Sequence, residues 1–145
     1  MNKLIKYICY CFIAIGMVGC YEEENPIDGL VDIVGDVAQV SQLISPDNVP
    51  AGSTIKLVIK SNVVGTEITQ FNFYQRIGTS GSYTATTTSP FDNRFVSEER
   101  VFVDTVEYVV PNEAGKTFSL QVEALTANGL TSARRTSSPT NIKIK

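Results

Sequence analysis

Side chains able to perform acid–base or metal chemistry are scarce in this sequence. Its 145 residues include no histidine, which removes the commonest general base and a common metal ligand. Acidic pairs occur at Glu98-Glu99 and at Asp104 with Glu107, and a glycosidase needs two carboxylates on either side of a cleft. Because all four lie on or beside one predicted strand, we interpret them as surface charge.

Phosphate and nucleophile chemistry are no better represented. The glycines of IGTSGSYT, residues 77–84, are not followed by the lysine and helix start of a phosphate-binding loop. A serine nucleophile would have to rely on lysine as its base, because histidine is absent. We therefore expect no enzyme activity, no cofactor and no bound metal.

Charge and composition exclude a further class and suggest the fold. The formal net charge is -3 and no basic run occurs, so we expect no nucleic-acid partner. Tryptophan, a favoured platform for stacking sugars, is absent. Valine, isoleucine and threonine are plentiful, which favours strands over helices, and the length suits one domain with a real core.

The first twenty residues, MNKLIKYICYCFIAIGMVGC, have the pattern of a secretory leader. Lys3 and Lys6 precede an apolar stretch from Tyr7 to Val18. That stretch is too short for a bilayer core, which needs about 20 residues. A small residue, Gly19, then precedes Cys20, as a leader peptidase requires.

Met17-Val18-Gly19-Cys20 resembles the lipobox of bacterial lipoproteins, with methionine in place of the usual leucine. The resemblance implies that residues 1–19 are removed and that Cys20, acylated with palmitate-like chains, becomes the mature N-terminus and the membrane anchor. Cys9 and Cys11 disappear with the leader, so the mature domain has no disulfide. The alternative is an ordinary leader or membrane anchor in which Cys20 is incidental.

The residues after the cysteine, YEEEN, suggest where the protein is located. Glu22, Glu23 and Glu24 resemble the acidic export signal of Bacteroidetes surface lipoproteins. This resemblance implies an outer-membrane protein exposed on the cell surface. The alternative is a solvated acidic tether on a lipoprotein of the inner leaflet. We assign residues 20–36 to a lipidated acidic tether and 37–145 to the folded domain.

Alternating apolar residues predict strands across the domain. The predicted inward residues are Ile55, Leu57 and Ile59, then Phe71 and Phe73, then Phe118, Leu120, Val122 and Ala124. In RVFVDTVEYVVP, the predicted strand carries Val101, Val103 and Thr105 and the apolar residues Tyr108 to Val110. Residues 37–45 are the expected first strand, and GSYTATTTSP is an expected edge strand. Asn128-Gly129 predicts a hairpin, and a split last strand closes the domain.

About seven short strands separated by turns predict an all-β antiparallel sandwich. AGSTIKLVIKSN and ITQFNFYQRIG resemble strands B and C of bacterial immunoglobulin-like domains. EAGKTFSLQVEALTANGLTS resembles the E–F turn, F strand and F–G hairpin of fibronectin type III modules, with Phe118 near the position of their corner tyrosine. The resemblance implies an immunoglobulin-like fold.

Aromatic and basic residues suggest a binding surface. Tyr74 is one aromatic candidate, because it follows Phe73 in a strand and one of the two must face outward. The long segment TTTSPFDNRFVSEERV carries Phe91, Arg94, Phe95 and Arg100, and Tyr83 precedes it. Long loops on rigid sandwiches often bind ligands, so these five residues are the predicted ligand or partner surface. Phe91 and Phe95 would alternatively cap the open end of the core.

Asp104-Thr105-Val106 resembles the Asp-Thr/Ser-aliphatic sequon for O-glycosylation of exported Bacteroidetes proteins. The resemblance implies that Thr105 is the acceptor.

Together these features predict a non-catalytic cell-envelope lipoprotein whose domain mediates binding or assembly at the surface. The partner would be a glycan, with the protein as a glycan-uptake accessory, or a host protein or envelope component. The alternative is a fimbrial or other structural subunit that polymerises by strand exchange, with VAQVSQLIS as the removable strand. No arginine or lysine precedes that strand in the mature chain, and this argues against the alternative.

Overall fold

The structure is a computed structural model that describes residues 38–145. Cys20 and the glutamates at positions 22–24 lie outside the described residues, so the anchor and export signal remain predictions. The described part contains ten strands: β1 Gln39–Ile44, β2 Asn48–Val49, β3 Thr54–Asn62, β4 Ile68–Ile77, β5 Thr84–Pro90, β6 Phe95–Val96, β7 Val101–Val109, β8 Thr117–Thr126, β9 Arg135–Thr136 and β10 Ile142–Ile144. Across residues 38–145 no helix suited to spanning a membrane is found.

The strands form two sheets. The four-stranded sheet has the order β1-β3-β7-β6, and the six-stranded sheet has the order β2-β10-β8-β4-β5, with β9 also paired to β8. The long pairings are antiparallel, whereas the short β2 pairs with β10 in parallel. The predicted all-β sandwich is confirmed. Seven strands have three or more residues, and the other three (β2, β6 and β9) have two each.

The pairing follows the immunoglobulin-like scheme. Strand β3 pairs with β7 in one sheet, and β4 pairs with β8 in the other. In immunoglobulin-like domains, strands B and E likewise share one sheet while C and F share the second. The chain crosses from one sheet to the other between β3 and β4, through residues 63–67.

The core lies between the two sheets and is built by the predicted alternation. The predicted inward residues of β3, β4 and β8 are all buried: Ile55, Leu57, Ile59, Phe71, Phe73, Phe118, Leu120, Val122 and Ala124. Phe118 stacks on Tyr108 from the facing sheet, with ring centroids 6.4 Å apart. Burying such rings supplies much of the hydrophobic free energy that holds two sheets together.

Strand β7 buries only part of the set predicted from the sequence. Its core face carries Asp104, Val106 and Tyr108. Of the predicted residues, Tyr108 and Val110 are buried, whereas Val101 and Val103 are half-buried and Thr105 is exposed. Apolar residues occur on both faces of this strand, so alternation could not choose between them. The buried carboxylate is accommodated because the backbone N–H of Asp92 donates a hydrogen bond to it.

The edge strand, the first strand and the hairpin match the predictions from the sequence. Strand β5 is an edge strand, as predicted, and pairs only with β4 among the described residues. Strand β1 is the predicted first strand, and its backbone also bonds to Ser138, which donates to Leu43 O at 2.8 Å. The predicted hairpin at Asn128-Gly129 is present, because Leu125 bridges Thr131 across it and Gly129 has φ +83°.

The two ends of the sandwich carry different loops. Gln39 lies opposite Asn62, so the described chain begins at the end where β3 finishes, which we call the N-terminal end. Residues 63–67, 91–94, 97–100 and 127–131 lie at the same end, as the register of the strands that they join requires. Residues 78–83 and 111–116 lie at the opposite, C-terminal end, near Lys145.

Candidate functional site

The five residues of the predicted binding surface do not form one site. Tyr83 precedes β5 at the C-terminal end, whereas Phe91 follows β5 at the N-terminal end. A strand rises about 3.3 Å per residue, so the length of β5 keeps the two roughly 25 Å apart. Arg94, Phe95 and Arg100 lie with Phe91 at the N-terminal end.

Phe91 and Phe95 have different environments although both join one aromatic chain. Phe91 is half-buried and packs on the core, with its ring centroid 5.9 Å from that of Phe71. Phe102 continues the chain, 5.3 Å from Phe91 and 5.2 Å from Phe95. Phe95 is 56% exposed. Phe91 therefore caps the core, whereas Phe95 is accessible to a partner.

Backbone hydrogen bonds fix the segment that carries these rings. Phe91 N donates to Thr69 O at 3.2 Å, and Val103 N donates to Arg94 O at 2.8 Å. Asp92 N donates to Oδ1 of Asp104 at 2.7 Å. The side chains of Arg94 and Arg100 are exposed. The backbone of the segment is thus held at several points along its length.

Asp104 is buried, so the interpretation of this carboxylate as surface charge was wrong. It is 1% exposed, and burial raises the pKa of its carboxyl above the ordinary 3.8, although the hydrogen bond from Asp92 N opposes the shift. Its Oδ2 and the hydroxyl of Ser61 are buried without a hydrogen-bond partner among residues 38–145. Asp104 thus anchors the connection between β5 and β6 to β7, through the hydrogen bond from Asp92 N. Its neighbour Thr105 is exposed, and glycosylation there remains a prediction.

A second, more extensive arrangement lies on the solvent side of the six-stranded sheet. We call it the polar face, and it comprises Gln70, Asn72, Tyr74, Arg76, Tyr83, Ser119, Gln121, Glu123 and Arg134. Asn72 lies opposite Glu123, Tyr74 opposite Gln121 and Arg76 opposite Ser119 in the β4–β8 register. These side chains point away from the core because they alternate with the buried ones.

Glu123 lies at the centre of the polar face and is 8% exposed. Tyr74 Oη donates to its Oε1 at 2.6 Å, and Asn72 Nδ2 donates to the same oxygen at 3.3 Å. Arg134 Nε donates to Oε2 at 3.1 Å. Burial alone would raise the pKa of Glu123, but these three hydrogen bonds outweigh it and the pKa lies below its ordinary value. The carboxylate is therefore ionised, and each of its two oxygens accepts at least one hydrogen bond.

Two arginine–tyrosine pairs flank this centre. Arg134 Cζ lies 3.6 Å from the ring centroid of Tyr74, and Arg76 Cζ lies 4.8 Å from that of Tyr83. Tyr83 Oη is also within hydrogen-bond distance of Ser119 Oγ, at 2.9 Å. A guanidinium over an aromatic face is attracted by the ring quadrupole. Tyr83, predicted as part of the loop surface, thus belongs to the polar face.

Sequence reasoning missed most of the polar face. Tyr83 was predicted, and Tyr74 was an aromatic candidate because it is adjacent to Phe73 in a strand, so that one of the two had to face solvent. Nothing in the sequence connects Tyr74 with Glu123 or Arg134, because these residues lie on β4, on β8 and in the β8–β9 connection. Only the strand pairing brings them together.

Among residues 38–145, the remaining candidates for nucleophilic or metal chemistry are not brought together. Ser53 and Lys56 form a Ser-x-x-Lys string that sequence reasoning overlooked, but the Ser53 hydroxyl donates to Pro50 O at 2.7 Å. Residues three apart in an extended chain point to opposite faces. Across the described part of the chain no cluster of three or more His, Cys, Asp or Glu could hold a metal.

A groove of about 400 Å³ opens between β5 and β7. Its walls include Tyr108, whose hydroxyl donates to Gln75 Oε1 at 2.7 Å. Burial raises the pKa of Tyr108 above its ordinary value, so the phenol stays protonated and acts as a hydrogen-bond donor. The Tyr108 hydroxyl is therefore a neutral donor that is already hydrogen-bonded, rather than a base or a nucleophile.

Comparisons with known proteins show no family. No protein-family model matches the chain, and no curated protein matches its sequence. Among solved structures, a superoxide reductase (neelaredoxin) from Ignicoccus hospitalis is similar, with 9% identity, a TM-score of 0.47 and coverage of 82% of this chain and 89% of that chain. Spo0M, a sporulation control protein from Bacillus subtilis, has 8% identity, a TM-score of 0.42 and coverage of 75% and 49%. Similarities this distant carry no argument about function.

Proposed function

We propose that the protein is a non-catalytic, lipid-anchored lipoprotein of the outer-membrane surface whose sandwich binds an acidic glycan through the polar face. The proposed location is supported by the lipobox resemblance at Met17–Cys20 and by the three glutamates that follow it. One observation carries the binding role: the Arg134 guanidinium is stacked on Tyr74 while its Nε is held by Glu123.

This arrangement prepares side chains for a ligand before it arrives. Arg134 carries several N–H donors, and the carboxylate that engages Nε orients the others. Tyr74 is fixed by the same carboxylate. Groups that are already ordered lose little side-chain entropy on binding, so more of the contact energy appears as affinity.

The charge of the face indicates the class of glycan. Arg76 and Arg134 contribute two guanidinium groups, and Glu123 is the one carboxylate among its residues. Guanidinium groups bind carboxylate and sulfate-like oxyanions with paired, charge-assisted hydrogen bonds. Gln70, Asn72 and Gln121 add amide donors and acceptors suited to sugar hydroxyls. Uronic or sulfated sugars therefore fit the face better than neutral ones.

Titration calorimetry of the mature chain against acidic and neutral polysaccharides tests this function. We expect binding to an acidic polymer that weakens about tenfold, or roughly 1.4 kcal/mol, in Arg76→Ala and in Arg134→Lys, which keeps the charge but loses the planar fork. Lys56→Ala is the matched control, because Lys56 is an exposed cation on the outer side of the other sheet. Equal binding by all four proteins would contradict the proposal.

The location has its own test. Mass spectrometry of the purified native protein should show an N-terminal Cys20 carrying acyl chains. Protease treatment of intact cells should remove the domain as efficiently as it removes a known surface protein. Survival of the domain under those conditions would place the protein on the inner side of the membrane.

The alternative, a fimbrial or other structural subunit, requires β1 to leave the sandwich. Departure of β1 would uncover the core around Leu43, which is 1% exposed. Strand β1 is paired with β3, and hydrogen bonds at Leu43 and Ser45 join it to Ser138 on its other side. These bonds disfavour release of the strand. Ladder-like species on a mild-detergent gel would favour the subunit instead.

A further inference from the structure

Exposed apolar side chains concentrate at one end of the sandwich. Among the described residues the exposed large hydrophobics are Ile44, Val64, Phe95, Val109 and Leu130. Three of them lie at the N-terminal end: Val64 is 69% exposed, Phe95 56% and Leu130 47%. They belong to three separate parts of the chain, namely the β3–β4 connection, strand β6 and the β8–β9 connection.

The described chain begins at the same end. Gln39, at the start of β1, lies opposite Asn62 at the end of β3. The segment between Cys20 and residue 38 has 17 residues, 21 to 37. An extended chain of that length spans at most roughly 60 Å. The length of the chain between Cys20 and residue 38 therefore does not by itself fix which end of the domain faces the membrane.

We propose that the N-terminal end of the sandwich rests on the lipid surface that carries the anchor, with Val64, Phe95 and Leu130 in the membrane interface. This inference depends on the lipid anchor of the proposed function. Burial of apolar area in the interfacial region is favourable. A tethered domain faces the membrane at a high effective concentration, so a small contact suffices. Phe102 packs against Phe95, with the two ring centroids 5.2 Å apart.

Electrostatic attraction does not drive this contact. The charged residues of this end are Glu67, Asp92, Glu98 and Glu99 against Lys60, Arg94 and Arg100. Three positive and four negative charges leave a net charge of -1, which gives no attraction to anionic headgroups. Contact through apolar burial should therefore persist at high salt, where contacts between exposed charges are screened.

This orientation also assigns a role to the predicted loop surface. Phe95 would contact lipid rather than a soluble ligand. The polar face runs along the side of the sandwich, from Gln70 towards Arg76, and so remains accessible. The C-terminal end, with Val109, points away from the membrane.

Tryptophan fluorescence can test the orientation, because the native sequence contains no tryptophan. Three single reporters are required: Phe95→Trp, Leu130→Trp and, as the matched control at the C-terminal end, Val109→Trp, whose site is 67% exposed. Each lipidated protein is purified, checked by mass spectrometry and by urea unfolding, and reconstituted in phosphatidylcholine–phosphatidylethanolamine vesicles. Matched vesicles carry brominated acyl chains, which quench tryptophan on contact.

We expect quenching of at least about twofold for tryptophan at positions 95 and 130, in low and high salt, and little at position 109. Absence of quenching at all three positions in acylated protein would overturn the inference while leaving the anchor intact. Equal quenching at 95 and 109 would overturn it too, because the domain would then lie on its side. A protein without acyl chains would overturn both the anchor and the inference.

Discussion

The guanidinium of Arg134 lies over the ring of Tyr74, with Cζ 3.6 Å from the ring centroid. Both side chains also donate hydrogen bonds to one carboxylate, that of Glu123. Three residues from separate segments thus form one unit on the surface of the sheet. The Glu123 carboxylate titrates, so the stability that this unit contributes depends on pH.

Glu123→Gln should destabilise the fold at neutral pH and have little effect in acid. The folded-state pKa of Glu123 is lowered. Its stabilising contribution is therefore present above the unfolded-state value and is lost as the pH falls through the folded-state value. Urea unfolding at pH 7 should show a loss of about 1–2 kcal/mol, which shrinks towards zero as the pH falls below the folded-state pKa of Glu123. Glu98→Gln, at an exposed turn position, is the control and should have no comparable effect.

Asp104→Asn should stabilise the fold at neutral pH, whereas Glu123→Gln should destabilise it. The folded-state pKa of Asp104 is raised by burial, so its contribution to stability is present below the unfolded-state value and is lost as the pH rises through the folded-state value. Asparagine keeps an oxygen acceptor for Asp92 N and carries no charge. We expect the variant to be more stable than the native protein at pH 7, with the gap closing in acid. Asp47→Asn, at an exposed site, serves as the control. A native protein that gains stability relative to the variant from pH 4 to pH 7 would refute this assignment.

Phe91→Ala and Phe95→Ala should separate packing from surface contact. Phe91 packs on Phe71 in the core, so its truncation should cost about 2–3 kcal/mol of unfolding free energy. Phe95 is 56% exposed, so its truncation should cost less than about 1 kcal/mol. Chemical denaturation of both variants measures the difference. Similar losses would mean that Phe95 also caps the core.

Tyr108→Phe should cost about 1 kcal/mol, because it deletes a buried hydrogen bond. Its hydroxyl donates to Gln75 Oε1 at 2.7 Å. Alkaline titration of tyrosine absorbance should lose one component above the ordinary pKa of 10.0. Tyr74→Phe should remove another such component, because the hydrogen bond to Glu123 raises the pKa of Tyr74. A titration unchanged by either substitution would contradict these environments.

Much of the sandwich was predictable because alternation directly reflects burial. Phe71 and Phe73, or Phe118 and Leu120, recur at the spacing of a strand with one dry face, and each is buried. In β7 the same rule failed. Apolar residues occupy both faces there, and the buried Asp104 accepts a hydrogen bond from Asp92 N on a different segment. A local pattern contains no information about such a donor.

The sequence by itself determined the strand content, the edge strand and the hairpin, because backbone and burial preferences act over a few neighbouring residues. It is also the sole basis for the predicted leader, anchor and export signal. Only the tertiary structure decided which outward-facing residues meet. Register places Asn72 opposite Glu123, and the β8–β9 connection returns Arg134 over Tyr74. It also separated Tyr83 from Phe91, because a rigid strand keeps its two ends apart.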